Sequence, residues 1–139
     1  IELPSHLLMH QMFAREAIRE GKPVSSRRRV VLHTHPTELI ALSHFKELQS
    51  TKAITEALYR MHPEVKMCLP GGLAWVPYEM PGSVELAKAS IKDLKDFRFM
   101  LWERHGVLGT GTSILEVFDV VDTLNKAAKI YLYVHLLHN

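Results

Sequence analysis

The stretch Val30-Val31-Leu32-His33-Thr34-His35-Pro36 limits what this chain can fold into more than any other. Branched apolar residues lead into it and a proline stops it, which is the mark of a short strand. Side chains two apart in a strand share a face. His33 and His35 therefore project together, while Leu32 and Thr34 face the other way. Two neutral imidazoles on one face of a stiff strand are half of a metal site, because catalytic zinc takes three protein ligands and keeps a fourth position open. The same spacing also fits a half-buried strand with two hydrogen-bonded histidines, and so short a motif does not choose between the two.

With 139 residues, the chain is one domain or part of one, and its 47% of hydrophobic residues is enough to build a core. A net charge of +2 makes no electrostatic case for nucleic acid or an anionic membrane. The Arg27-Arg28-Arg29 run lacks interleaved aromatics and reads as a solvated loop. No apolar run reaches the roughly 18 residues that span a bilayer, and no signal-peptide pattern is present. Cys68 has no partner within the chain for a disulfide, which fits a reducing cytosol, so a cytoplasmic location is expected. The chain opens at Ile1 rather than methionine, and Glu2-Leu3-Pro4 reads as the interior of a longer polypeptide.

Punctuation and periodicity place the remaining elements. Ser5 is a candidate N-cap for a helix running to about Glu20 and stopped by Gly21, with Leu8 and Met12 on one stripe and Phe13 and Ala17 on the next. His6 and His10, four apart on that helix, form either a metal-binding pair or a polar face. Residues 21–26 carry turn chemistry. Thr51 is a candidate cap for a helix carrying Ile54, Ala57, Leu58 and Met61, which Pro63 ends. Val65 to Leu69 and Leu73 to Val76 read as short strands around the Pro70-Gly71-Gly72 turn. A helix follows Ser83, then a strand over Phe97 to Trp102. Gly109-Thr110-Gly111-Thr112 reads as the turn that starts a long last helix, striped by Ile114, Val117, Phe118, Val121, Leu124, Ala128 and Tyr131. That helix is apolar nearly all round from Ile130 to Leu137, which predicts burial against another element or subunit. Interspersed strands and helices give an α/β class, a mixed sheet with helices on both faces.

Taken together, His33-Thr34-His35-Pro36 and the run Trp102-Glu103-Arg104-His105-Gly106-Val107-Leu108-Gly109-Thr110-Gly111 resemble the class II, zinc-dependent sugar-phosphate aldolases of the aldolase/adducin superfamily. Glu2-Leu3-Pro4-Ser5-His6 leading into a helix, Leu39-Ile40-Ala41-Leu42 after the histidines, and Glu64 before the Pro70 turn are similar to its rhamnulose-1-phosphate aldolase branch. The resemblance spans essentially the whole of residues 1–139 but only about the C-terminal half of that family's chain. It implies a three-layer α/β/α sandwich with a mostly antiparallel central sheet, here lacking its N-terminal part. It also implies a ring-like homotetramer with active sites between subunits.

The resemblance further implies zinc on His33, His35 and His105, with Glu2 as the catalytic glutamate beside it and Glu64 reaching a neighbouring subunit's site. Read from the residues alone, His105 is a turn residue before glycine, Glu2 a terminal residue and Glu64 a solvated carboxylate. The implied substrate is a phosphorylated ketose, rhamnulose 1-phosphate, split to dihydroxyacetone phosphate and lactaldehyde. Such a cleavage leaves negative charge on oxygens, which a Lewis acid stabilises, and it needs a carboxylate to move a proton at carbon. The family's phosphate-binding groups lie in the half outside this chain, so these residues alone are expected to be weakly active or inactive. Related readings are a fuculose 1-phosphate aldolase, a pentulose-phosphate epimerase, a dehydratase, and a non-catalytic adducin-like binding domain.

Overall fold

The computed structural model describes residues 1–21 and 28–138, so most of the turn expected over 21–26 lies outside the described residues. The elements run α1 (Leu3–Glu20), β1 (Val30–Thr34), α2 (Thr37–Leu42), a 3-10 turn (Lys46–Leu48), α3 (Thr51–Met61), α4 (Pro63–Cys68), β2 (Leu73–Val76), α5 (Val84–Leu94), β3 (Phe99–Trp102), β4 (Gly106–Gly111) and α6 (Ile114–His138). The strands form one sheet in the order β1-β4-β3-β2. β4 pairs antiparallel with both neighbours, and β2 joins β3 in parallel, so the sheet is mixed and mostly antiparallel.

Alternation along each strand divides the side chains between two cores. Ala74, Val76, Met100, Trp102 and Leu108 face α1 and α5, packing with Met9, Phe13, Leu86 and Leu94. Leu73, Trp75, Phe99, Leu101 and Val107 face the other way, against α2, α3, α4 and α6. The result is the expected three-layer α/β/α arrangement. None of the described helices is long and apolar enough to cross a membrane.

Local signals were displaced where packing or a better partner prevailed. Glu2, not Ser5, is the residue before α1, and Ser5 is buried inside its first turn because Pro4 opens the helix earlier. The buried stripe of α1 is Ser5, Met9, Phe13 and Ala17, one residue round from Leu8 and Met12. Gly21 closes α1 in the left-handed conformation (φ 62°) that glycine adopts without strain. Ser50 caps α3 by accepting from the Ala53 N–H, while the Thr51 hydroxyl accepts from the Trp75 N–H of β2.

The strand expected at Val65 to Leu69 is instead α4, because Pro63 both ends α3 and supplies the first turn of the next helix. The turn expected at Gly109 to Thr112 is largely strand: Gly109 and Gly111 pair with Leu32 and Val30. These glycines make room rather than a turn. A Cβ at Gly109 would stand 2.4 Å from the Phe99 ring, and one at Gly111 would stand 2.7 Å from Val117. On α6, Val120 and Ala127 are buried, whereas Ile114, Phe118, Leu136 and Leu137 are exposed in the single chain.

Candidate metal centre

β1 ends at one edge of the sheet, beside the turn that joins β3 to β4. His33 lies opposite Leu108 in the ladder, and His105 sits in the turn between Trp102 and Gly106. That turn is tightly closed. The His105 N–H donates to the Trp102 carbonyl at 3.1 Å, and Arg104 takes a left-handed backbone (φ 57°) that non-glycine residues rarely adopt. Ser43, at the end of α2, accepts from the Arg104 N–H at 2.8 Å and latches the turn in place. The turn can then press against β1 because position 106 is glycine. A Cβ there would meet the Thr34 carbonyl at 2.5 Å, the His35 ring at 2.8 Å and the His33 ring at 3.1 Å.

As a result, one nitrogen from each of His33, His35 and His105 lies within 4.8 Å of the other two. The Nε2 atoms of His33 and His35 are 2.9 Å apart. His33 donates its Nδ1–H to the Val107 carbonyl at 3.0 Å, which leaves the Nε2 lone pair directed at the cluster. His105 has its Nε2 3.5 Å from a carboxylate oxygen of Glu2, and its buried Nδ1 has no hydrogen-bond partner among the described residues. Burial pushes His33 down to about 4 against a smaller opposing effect of its backbone bond, so its ring is neutral at pH 7. Burial also lowers His105, although Glu2 pulls it partly back.

Three imidazoles from two segments with converging nitrogens suit a divalent cation of the first transition row. Glu2 completes the polar wall. Its side chain is only 11% exposed, and its second oxygen accepts from the Gly82 N–H at 3.3 Å, in the loop before α5. The frayed-terminus reading of Glu2 therefore does not describe its surroundings. Glu64 is not part of this group. It is 68% exposed on the first turn of α4, 3.6 Å from His62, in the layer opposite the one His33 faces. His10 is exposed and edge-on to Phe13. His6 is lowered by partial burial and by His10.

Residues 1–132 match the pattern of the Class II Aldolase and Adducin N-terminal domain. The chain belongs to the class II aldolase and adducin family. Among curated relatives, a rhamnulose-1-phosphate aldolase of Bacteroides thetaiotaomicron is 40% identical over 131 residues, covering 94% of this chain and 46% of the relative. One from Enterococcus faecalis is 38% identical, covering 96% of this chain and 44% of the relative. The chain thus spans under half the length of these curated relatives. A sugar-phosphate aldolase of Thermotoga maritima has a similar solved structure, with a TM-score of 0.82 at 33% identity, covering 99% of this chain and 55% of that one.

Three members of the site escaped sequence reading. Trp102 lies under two of the imidazoles, Ser43 latches the turn, and Gly82 binds Glu2. A fourth, Gly106, is small enough for the Thr34 carbonyl and the His33 and His35 rings to close around it.

Proposed function

We propose that the intact protein is a zinc-dependent aldehyde-lyase that cleaves rhamnulose 1-phosphate to dihydroxyacetone phosphate and lactaldehyde. In this reading His33, His35 and His105 hold the zinc, and residues 1–139 are the C-terminal part of one aldolase domain. The observation that carries the reading is the meeting of three imidazoles from two distant segments, with a largely buried carboxylate 3.5 Å from one of them.

A divalent cation held there supplies Lewis-acid stabilisation for the negative charge that carbon–carbon cleavage places on oxygen. The protein's own part is to offer imidazole nitrogens in a fixed geometry and to keep Glu2 beside them. Glu2, steadied by the Gly82 N–H, moves the proton at carbon. Glu64 faces away from its own chain's histidines, so any catalytic use of it is between subunits. The proposal therefore includes a homotetramer with the site at a subunit interface, where Glu64 of a neighbour exchanges a proton at the aldehyde oxygen.

Elemental analysis paired with a retro-aldol assay tests the whole reading. The intact protein should hold zinc in stoichiometric amount and release dihydroxyacetone phosphate from rhamnulose 1-phosphate faster than from fuculose 1-phosphate. Chelation should abolish the activity and zinc should restore it. Activity that survives complete metal removal refutes the mechanism, and a preference for fuculose 1-phosphate or ribulose 5-phosphate reassigns the substrate.

A further inference from the structure

We propose that Trp102, tethered by Ser90, is a positioning residue for the histidine cluster, its indole face setting the orientation of the His105 ring. The inference rests on the reading of that cluster as a metal centre. The indole lies in tilted contact with two imidazoles at once: His33 at 4.6 Å between ring centroids and 35° between planes, and His105 at 5.1 Å and 38°. Both are offset-stacking distances for aromatic rings.

The two imidazoles depend on the indole unequally. His33 is already fixed by the bond from its Nδ1–H to the Val107 carbonyl. His105 has no such bond among the described residues, where its buried Nδ1 lacks a partner. Metal-binding histidines are ordinarily oriented by a hydrogen bond at the nitrogen that does not ligate. Without one, the ring's second torsion is broad and roughly two-fold. A flat, immobile surface against the ring supplies the missing constraint.

The indole is immobile because it is anchored as well as buried. Trp102 is 1% exposed and Ser90 is 0% exposed. The indole N–H donates to the Ser90 hydroxyl at 2.9 Å, and that hydroxyl donates to the Leu86 carbonyl at 2.8 Å. A complete donor chain inside an otherwise apolar core fixes the rotation of the ring as well as filling its volume. The chain also ties α5 to the turn that carries His105, since the His105 N–H donates to the Trp102 carbonyl.

Cobalt(II) is the probe, since it accepts the same donors and its visible absorption reports coordination geometry. Titrations would compare the intact protein with Ser90→Ala, Trp102→Phe and Trp102→Leu. Circular dichroism and the melting temperature of the metal-free proteins would establish that each variant folds. Trp102→Phe is the mildest change, because Ser90 keeps its bond to Leu86 and no buried donor is left unpaired. Cobalt affinity should fall about 10–100-fold in Ser90→Ala and Trp102→Leu, with a changed visible spectrum. Trp102→Phe, which keeps a flat ring without the tether, should fall between these variants and the unaltered protein. Folded variants that bind cobalt with unaltered affinity and spectrum overturn the role of Trp102 while leaving the metal reading intact. Unaltered protein that takes up no cobalt overturns both.

Discussion

His33 donates its Nδ1–H to the carbonyl of Val107, 3.0 Å away on the neighbouring strand. One strand thus supplies the imidazole while the next fixes which nitrogen carries the proton. Burial of the same ring brings its proton affinity from the ordinary value of 6.5 down to about 4. The unfolded chain therefore binds more protons than the folded one between those values, and folding stability must fall as pH drops through that window. In metal-free protein the urea midpoint should be level above about pH 7 and decline towards pH 4. His33→Gln should flatten that part of the decline. If the two proteins instead decline in parallel, the buried neutral ring is not its source.

Gly106 makes the encounter between turn and strand possible. Any side chain there would first meet the Thr34 carbonyl at 2.5 Å, a backbone atom that cannot swing aside, and then both β1 histidines. Gly106→Ala should cost about 1–3 kcal/mol in stability, the usual range for overpacking. It should also lower metal affinity by more than a comparable core substitution on the far face of the sheet. Chemical denaturation and metal titration on the same preparation check both parts. Unchanged metal affinity would mean that the ligand geometry does not depend on this close approach.

The sequence carried the histidine pair because a strand's two-residue period needs no tertiary information. It carried the helices as far as their apolar spacing was unambiguous, as with Ile54, Ala57 and Leu58 of α3. It misread Val65 to Leu69, where a proline both stopped one helix and opened the next. It misread the Gly109 to Thr112 segment because glycine reads as a turn former unless the neighbouring Phe99 ring and Val117 are in view. The third imidazole was beyond local pattern altogether. His105 joins the others only through a turn held by Ser43, more than sixty positions earlier in the chain. Its place in the site was legible only by family resemblance.

In the proposed reaction Glu2 is the acid–base group, and it lies near His105, held by the Gly82 N–H. Glu2→Gln preserves length and an acceptor for that N–H but removes the basic carboxylate. In the intact protein it should lower kcat by about 10²–10⁴-fold, the range typical of a lost acid–base group, while zinc content stays near that of the unaltered protein. Side-by-side turnover and elemental analysis separate the possibilities. A large loss of zinc would recast Glu2 as a metal ligand or structural residue, and full turnover would remove it from the mechanism.

Away from the site, Glu116 closes the start of α6. Ser113 accepts from the Glu116 N–H, and one Glu116 oxygen accepts from both the hydroxyl and the N–H of Thr112, at 2.6 and 2.8 Å. The other oxygen pairs with Arg98 beside β3, so the cap also joins the helix to the sheet. These bonds, those from Thr112 foremost, hold the carboxyl down at about 2. A depressed carboxylate contributes stability that is full above its ordinary value of 4.5 and is lost as pH falls towards 2. Glu116→Ala should therefore cost about 1–2 kcal/mol at neutral pH, as lost helix caps do, and the difference from the unaltered protein should shrink on acidification. Because Glu116 lies outside the histidine cluster, metal affinity should stay the same. A difference in urea midpoint that stays constant from neutral pH to about pH 3 would show that the charge of Glu116 contributes nothing to the cap.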